Sequence, residues 1–342
     1  MPEKSPHRQA VQMLVLATAF WAVSFPVMKA LGLEQEKLLP GAGAWFFTAL
    51  GVMYRFGAAG LVMLLFTARD LGKFSRREWE QGFFLALFGV GGILFQMHGL
   101  AYTSAPISAF LTQTYCILIP LWIALRTRRR PSLKTLLCIG LVCLGVALLA
   151  GVRFSAFKLG RGEIETLFAS VLFAAQILLL ENPRYAANRP LPISTVMFFG
   201  MALLCVPLVW ATAPDAAACL RAYGSPAAVA LIATLVIPCT LGGYLLMLRW
   251  QRGVTVTEAG LIYCLEPLFA SALSLFLPGW LSQWADIPYA NDHLTHRLLL
   301  GGALVTAANV LLQTKWFEPT YKINKILYKN NIKHNVSIKL YL

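Results

Sequence analysis

Charge is what this chain has least of. Only 13% of its 342 residues are Asp, Glu, Lys or Arg, against about 25% in a soluble domain. With 58% hydrophobic residues and a mean hydropathy of +0.65, an ordinary soluble fold is excluded. What remains is helix packed on helix in lipid. Acid is scarcer than base, 15 against 29, which leaves a net charge of +14. In so apolar a chain that excess fits basic loops at one membrane face rather than nucleic acid. Paired cysteine motifs are missing: seven cysteines form no CxxC. Six of them (116, 138, 143, 205, 239 and 264) lie in apolar runs, as packing residues do, so neither a disulfide nor a metal is expected. No GxxxxGK[ST] phosphate loop is present, so ATP-driven work by this chain alone is unsupported, and no cofactor is expected. No His is followed five residues later by Asp, so the membrane acyltransferase pattern is absent. The first apolar run has a basic lead but meets Pro26 and Lys29, so no cleavable signal is expected.

Long apolar runs are abundant. Ten of them meet or approach the ~20 residues that span a bilayer. They lie near 11–31, 45–67, 82–102, 106–125, 134–151, 164–181, 193–212, 226–248, 258–277 and 297–316. This predicts an all-α integral membrane protein with ten transmembrane helices. Short links at Thr103-Ser104-Ala105 and around Pro131 imply antiparallel hairpins. With the N-terminus in the cytoplasm, 21 Lys and Arg fall in inside segments and six outside, as the positive-inside rule requires. Both termini are therefore expected on the cytoplasmic side. The loop at 152–163 fits least well, with three basic residues outside. Lys29 and Arg55 fall within spans.

The two halves align weakly. Residues 17–29 set against 169–181 pair Trp21 with Phe173, Ser24 with Gln176 and Lys29 with Glu181. Ala109-Phe110-Leu111 likewise matches Ala259-Gly260-Leu261, and Gly140…Leu148-Leu149 matches Gly302…Val310-Leu311. Five spans per half is an odd number, so the second half enters the membrane upside down, giving an inverted five-plus-five repeat. The expected organisation is a cytoplasmic N-terminus (1–10), a first five-helix repeat (11–151), a second (164–316) and a basic, disordered cytoplasmic tail (317–342). The sequon at Asn335-Val336-Ser337 lies in that tail and is discounted.

The most telling stretch is Leu261 to Phe269, where Glu266 and Pro267 interrupt an apolar run. Glu266 lies roughly 12 Å from Glu258 and roughly 16 Å from Leu277 along a helix, near the midplane of a spanning segment. A charge there costs on the order of 3 kcal/mol or more. Pro267 also deprives the Tyr263 carbonyl of its helical donor. Two readings of Glu266 stand side by side: it exchanges a proton or meets a cationic substrate group, or it serves the broken backbone or a fixed internal pair.

Lys29 could bind a substrate carboxylate or snorkel to the interface. Arg55 has a planar fork suited to carboxylate or phosphate, or to a fixed pair. Trp21, Tyr102, Tyr244 and Tyr263 are candidates for a cavity wall, with packing or interface anchoring as the plainer reading. Gln96, His98, Gln113, Gln176 and Asn309 are polar groups in apolar runs that interhelical hydrogen bonding would explain; His98 could also titrate near neutrality. Asp292-His293-x-x-His296 has metal-like spacing but reads as a solvated loop.

These residues resemble the drug/metabolite transporter superfamily, in its EamA-type branch. The resemblance rests on Ala19 to Lys29 with Trp21, on Arg55, on Ala101-Tyr102-Thr103-Ser104-Ala105 through Pro131-Ser132, and on Glu266-Pro267-Leu268-Phe269. It covers about residues 11–316. It implies a secondary transporter in the cell membrane, a bacterial inner membrane, moving a small metabolite such as an amino acid by alternating access. Export is among the implied behaviours; the driving force, a concentration gradient or the proton motive force, is left open by the sequence. Two Gly-Glu pairs usual after helices four and nine are absent: Arg126 to Arg130 and Pro278-Gly279-Trp280 stand there instead. A membrane enzyme or lipid-handling protein with an interfacial active site is the alternative, but it requires polar groups clustered at one depth.

Overall fold

The apolar runs become helices. The computed structural model describes residues 7–126, 128, 130–149, 159–180, 182–254, 259 and 262–313. The expected tail and its sequon, Glu258, Glu181 and most of the loop at 152–163 lie outside the described residues. Among the described residues all regular structure is helical. The α-helices are α1 (His7–Leu38), α2 (Ala44–Thr67), α3 (Arg76–Gly99), α4 (Ala105–Thr112), α5 (Tyr115–Arg126), α6 (Leu133–Leu149), α7 (Arg161–Leu180) and α8 (Pro190–Thr212). They continue with α9 (Ala218–Arg221), α10 (Pro226–Thr234), α11 (Gly243–Trp250), α12 (Glu266–Ser274), α13 (Leu277–Ala285) and α14 (His296–Gln313). Among the described residues, seven segments are long and apolar enough to cross a membrane. These are α1, α2 with the turn after it, α3, α4 with α5, α7, α8, and α10 with the helix after it. Two shorter apolar helices, α6 and α14, accompany them.

Local chemistry sets the boundaries. Ser75 caps α3 in a capping box: its hydroxyl accepts from the Glu78 amide, and the Glu78 carboxylate accepts from the Ser75 amide. Ser225 caps α10, with Pro226 entering the first turn where a missing N–H costs nothing. Pro238 leaves the Thr234 carbonyl without a donor. The chain widens there into π-helix over Leu235–Gly242 before tightening into α11.

The sequence implied one uninterrupted fourth span. The chain instead leaves the helix at Gln113-Thr114, between α4 and α5. The Thr114 hydroxyl donates to the Leu111 carbonyl (2.8 Å), the local side-chain bond that competes with a helix. The ninth run is also broken, at Cys264-Leu265, just before Glu266 and Pro267. Its expected end at 277 is a second departure: Leu277 and Pro278 open α13. The Asp292-His293 stretch is not helical, so the metal-like spacing is not set on a helix. Among the described residues no three metal-ligating side chains gather.

Packing pairs one half of the chain with the other. α2 lies on α8; α3 on α7 and α8; α6 on α14. α1 lies on α10, the π segment, α11 and α12; α4 lies on α7 and α12. The core between them holds Phe25, Met28, Leu31, Phe56, Met63, Phe198 and Met201. Glycines let two of these faces close. A Cβ on Gly243 would meet the Cδ1 of Trp21 at 2.8 Å, and one on Gly92 would meet the Cδ1 of Phe173 at 2.7 Å.

Candidate functional site

The paired breaks face each other. Gln113, fully buried between α4 and α5, points its amide at the break before α12. Its Nε2 donates to the Tyr263 carbonyl (3.2 Å) and to Glu266 Oε2 (3.1 Å). The carbonyl that Pro267 frees thus finds its donor on another span. Glu266 forms no ion pair among the described residues; its bonded partner is the neutral Gln113. It is partly buried and keeps some accessible surface. The same holds for Tyr115 and Tyr244.

Rings surround this point. Trp21 lies 5.5 Å from Tyr263 and 6.0 Å from Tyr244, centroid to centroid, and Tyr244 meets Phe198 edge-on at 5.5 Å. The Tyr263 hydroxyl donates to Gln251 Oε1 (2.9 Å). Tyr244 stands within electrostatic reach of both Glu266 and Arg55. Arg55, near the middle of α2, is 4% exposed. Its Nε donates to Thr240 Oγ1 (2.7 Å) and its Nη1 to the Met28 thioether (3.4 Å). The Thr240 hydroxyl donates in turn to the Leu235 carbonyl, five residues back in the π segment (2.8 Å). Glu266, Gln113, Tyr263, Trp21 and Arg55 therefore gather about one centre.

Lys29, Tyr102 and His98 do not join them. Lys29 sits about 12 Å further along α1 than Trp21. Its Nζ donates to the Thr103 carbonyl (2.6 Å), and Asp292 lies within its electrostatic reach. The Thr103 hydroxyl donates to Glu163 (2.7 Å). His98 is 1% exposed; its Nδ1 lies 2.6 Å from Glu165 Oε2 and its ring stacks on Trp45 at 4.0 Å. Arg161 donates to the other Glu165 oxygen (2.9 Å) and lies 4.4 Å above the exposed Tyr102 ring. These groups lace α1, α3 and α7 together at one end of the bundle. Asp292, in the loop before α14, has its carboxyl pushed above the usual range by burial, with Lys29 pulling it back.

Sequence reasoning missed Tyr115, Thr240 and the acids Glu163 and Glu165. The triplet Thr112-Gln113-Thr114 in an apolar run was the available signal for the fourth-span break. A separate groove of about 740 Å³ runs between α2, α8 and α10, lined by Leu61, Phe199, Leu203, Val229 and Ile237. It carries no part of the polar centre, and its exposed aliphatic walls are of the kind that lipid chains cover.

Comparison with known proteins agrees with this architecture. The sequence model of the EamA-like transporter family matches residues 8–151. An uncharacterized transporter of Archaeoglobus fulgidus is 27% identical over 194 residues, which is 57% of this chain and 56% of that protein. The match thus spans about half the length of that relative. A solved structure, described only as the crystal structure of a protein, superposes with a TM-score of 0.53 at 16% identity, over 96% of this chain and 99% of that one; this is a likeness of fold. The chain is a multi-pass membrane protein whose residues 8–151 are similar to the EamA-like transporter family.

Proposed function

We propose that this protein is a secondary transporter of small polar metabolites, amino acids or related compounds, working by alternating access in a ten-helix inverted repeat. The carrying observation is the pair of helix breaks, Gln113-Thr114 and Cys264-Leu265, bridged by the Gln113–Glu266 bond inside the bundle. Backbone left irregular at membrane depth is tolerated where it lines a cavity or binding site.

The packing supports the repeat. Exchanging each span of one half with its counterpart in the other turns α3 on α7 into α11 on α1, and α4 on α7 into α12 on α1; both partners of each exchange are present. The pairs α2 with α8, α4 with α12 and α6 with α14 exchange into themselves. Phe173 against Gly92 and Trp21 against Gly243 are related by the same exchange. In this reading the N-terminus is cytoplasmic, the Lys29–Thr103 end faces outward, the membrane is the cell membrane, and Glu266 is the group able to carry a coupling proton.

Purified protein in liposomes, screened with labelled amino acids and other small metabolites, tests the reading. Protein-dependent flux that saturates is expected. An impermeable, protein-independent response across a broad panel would reject transport.

A further inference from the structure

Arg55 is a buried cation without an anion. Among the described residues it meets no carboxylate, only a hydroxyl, a thioether and, at 5.4 Å, the ring of Phe56. A guanidinium has five N–H donors; two are engaged here, one with a sulfur that accepts weakly. A charge placed so deep without a partner is costly. Glu266 shows the converse, an acid with only the Gln113 amide for a partner. Tyr244 stands within electrostatic reach of both. The Trp21 and Tyr263 rings close the wall beside it.

We infer that Arg55 is the carboxylate anchor of the transport site, and that the substrate is a zwitterion whose cationic group is held at Glu266 against the rings of Trp21, Tyr244 and Tyr263. This rests on the transporter reading above and deepens it. The guanidinium fork offers two parallel N–H groups to a carboxylate. Thr240 steers the fork: it accepts from Nε while its own proton goes to Leu235, so the free edge with Nη2 is left for substrate. The aromatic faces suit the ammonium. Lys29, the other basic residue within a span, is committed to Thr103 and lies toward Asp292. The substrate thereby supplies each buried charge with the partner that the fold withholds, and the empty site is electrostatically unsatisfied at both poles.

The test uses the full chain, purified, with thermal stabilisation as the binding readout and liposome uptake as the transport readout. L-amino acids are screened first. The best binder is then compared with its decarboxylated amine and its deaminated acid. The amino acid is expected to bind at least about tenfold better than either truncated analogue, since loss of a buried charge partner is worth that or more. In R55Q the amino acid should fall to the affinity of its amine, while the amine is unchanged. In E266Q the amino acid should fall toward its acid. T240V, which leaves the Arg55 charge in place but removes its guide, should weaken the amino acid and the acid together while sparing the amine.

The analogue series on the unaltered protein stands even where a variant does not fold. A purely structural Arg55 predicts lower melting temperatures with unchanged analogue ratios, and that outcome overturns the inference. So does an amine, or a phosphorylated amine, that binds as well as the amino acid, or a panel in which no amino acid stabilises the protein. Flux of other metabolites with no preference for zwitterions leaves transport standing and removes this inference. Selective zwitterion binding without flux does the reverse.

Discussion

Gln113 Nε2 stands 3.1 Å from Glu266 Oε2 while donating also to the Tyr263 carbonyl, so one amide serves both an acid and a broken helix. Replacing Gln113 by Leu keeps the bulk and removes the donor. The Tyr263 carbonyl is then buried without a partner, at a cost of about 1–3 kcal/mol. A lowered melting temperature in detergent is expected for Gln113→Leu, with a smaller change for Gln113→Asn if the shorter amide still reaches one acceptor. An unshifted Gln113→Leu protein would mean that water already satisfies the carbonyl.

Glu266→Gln separates a proton carrier from a structural acid. The amide oxygen of the new side chain still accepts from Gln113, so folding should survive. If Glu266 carries the coupling proton, uptake by E266Q becomes insensitive to an imposed pH gradient while counterflow persists at a substrate concentration raised to offset the weaker binding. If E266Q retains the pH dependence of the parent protein, the coupling proton resides elsewhere.

How much of this was legible in the sequence follows from what kind of force acts where. The spans were legible because about 20 apolar residues in lipid leave few alternatives. Glu266 and Pro267 were legible because each violates a strong local rule, a charge at membrane depth and a missing N–H. The partner of the freed carbonyl was not: a lone Gln113 carries no sign of which of several spans it faces. Lys29 and Arg55 look alike in a hydropathy profile, yet one sits at the end of the bundle with Thr103 and the other at its centre with Thr240. That separation depends on helix rotation, which periodicity alone fixes poorly when the helix is apolar all round.

Two acid–base pairs near one end of α3 should differ sharply. Glu78 is 3% exposed and accepts from Arg189 Nε (2.8 Å), Arg189 Nη2 (3.1 Å) and the Arg189 and Ser75 amides (3.1 and 2.7 Å). Glu78→Ala removes the acceptor of these bonds and half a capping box, and the half-exposed Arg189 left behind is solvated, so about 1–3 kcal/mol is expected. Asp70 with Lys73 is an exposed pair at 2.7 Å, worth about 0–1 kcal/mol, so Asp70→Asn should leave melting nearly unchanged. Comparable losses from the two variants would show that the Glu78 network is not bearing on stability.

Asp292 gives a pH prediction with a definite sign. Burial raises its folded carboxyl above the unfolded value, and Lys29 offsets part of that rise. The folded chain therefore holds this proton more tightly, so the group favours folding at acid pH and loses that contribution as pH climbs past ~4 toward the raised value. Asp292→Asn should thus gain melting temperature over the parent protein as pH rises through that window, with no gain below it. Lys29→Met should steepen the parent's loss, because the ionised Asp292 then lacks its cation. Parallel melting-versus-pH curves for the parent and D292N would contradict the assignment.

The glycine contacts test the relation between the halves. Gly243 faces Trp21 and Gly92 faces Phe173, each with a would-be Cβ under 3.0 Å from ring carbon. Alanine gains about 0.5–1 kcal/mol of helix propensity over glycine, but overpacking a rigid ring costs about 1–3 kcal/mol, so each substitution should be net destabilising. Gly140, on an exposed face of α6 with nothing within 4 Å of its Cβ, is the control, and G140A should melt at or above the parent temperature. The sharper expectation concerns transport. If the two contacts are exchanged as the halves rock, G243A and G92A push opposite sides of one hinge. Each should then slow uptake, and accessibility of a cysteine probe at the Lys29 end should shift in opposite directions for the two variants. Shifts in the same direction would mean that the paired contacts are packing alone and that the halves do not move about them.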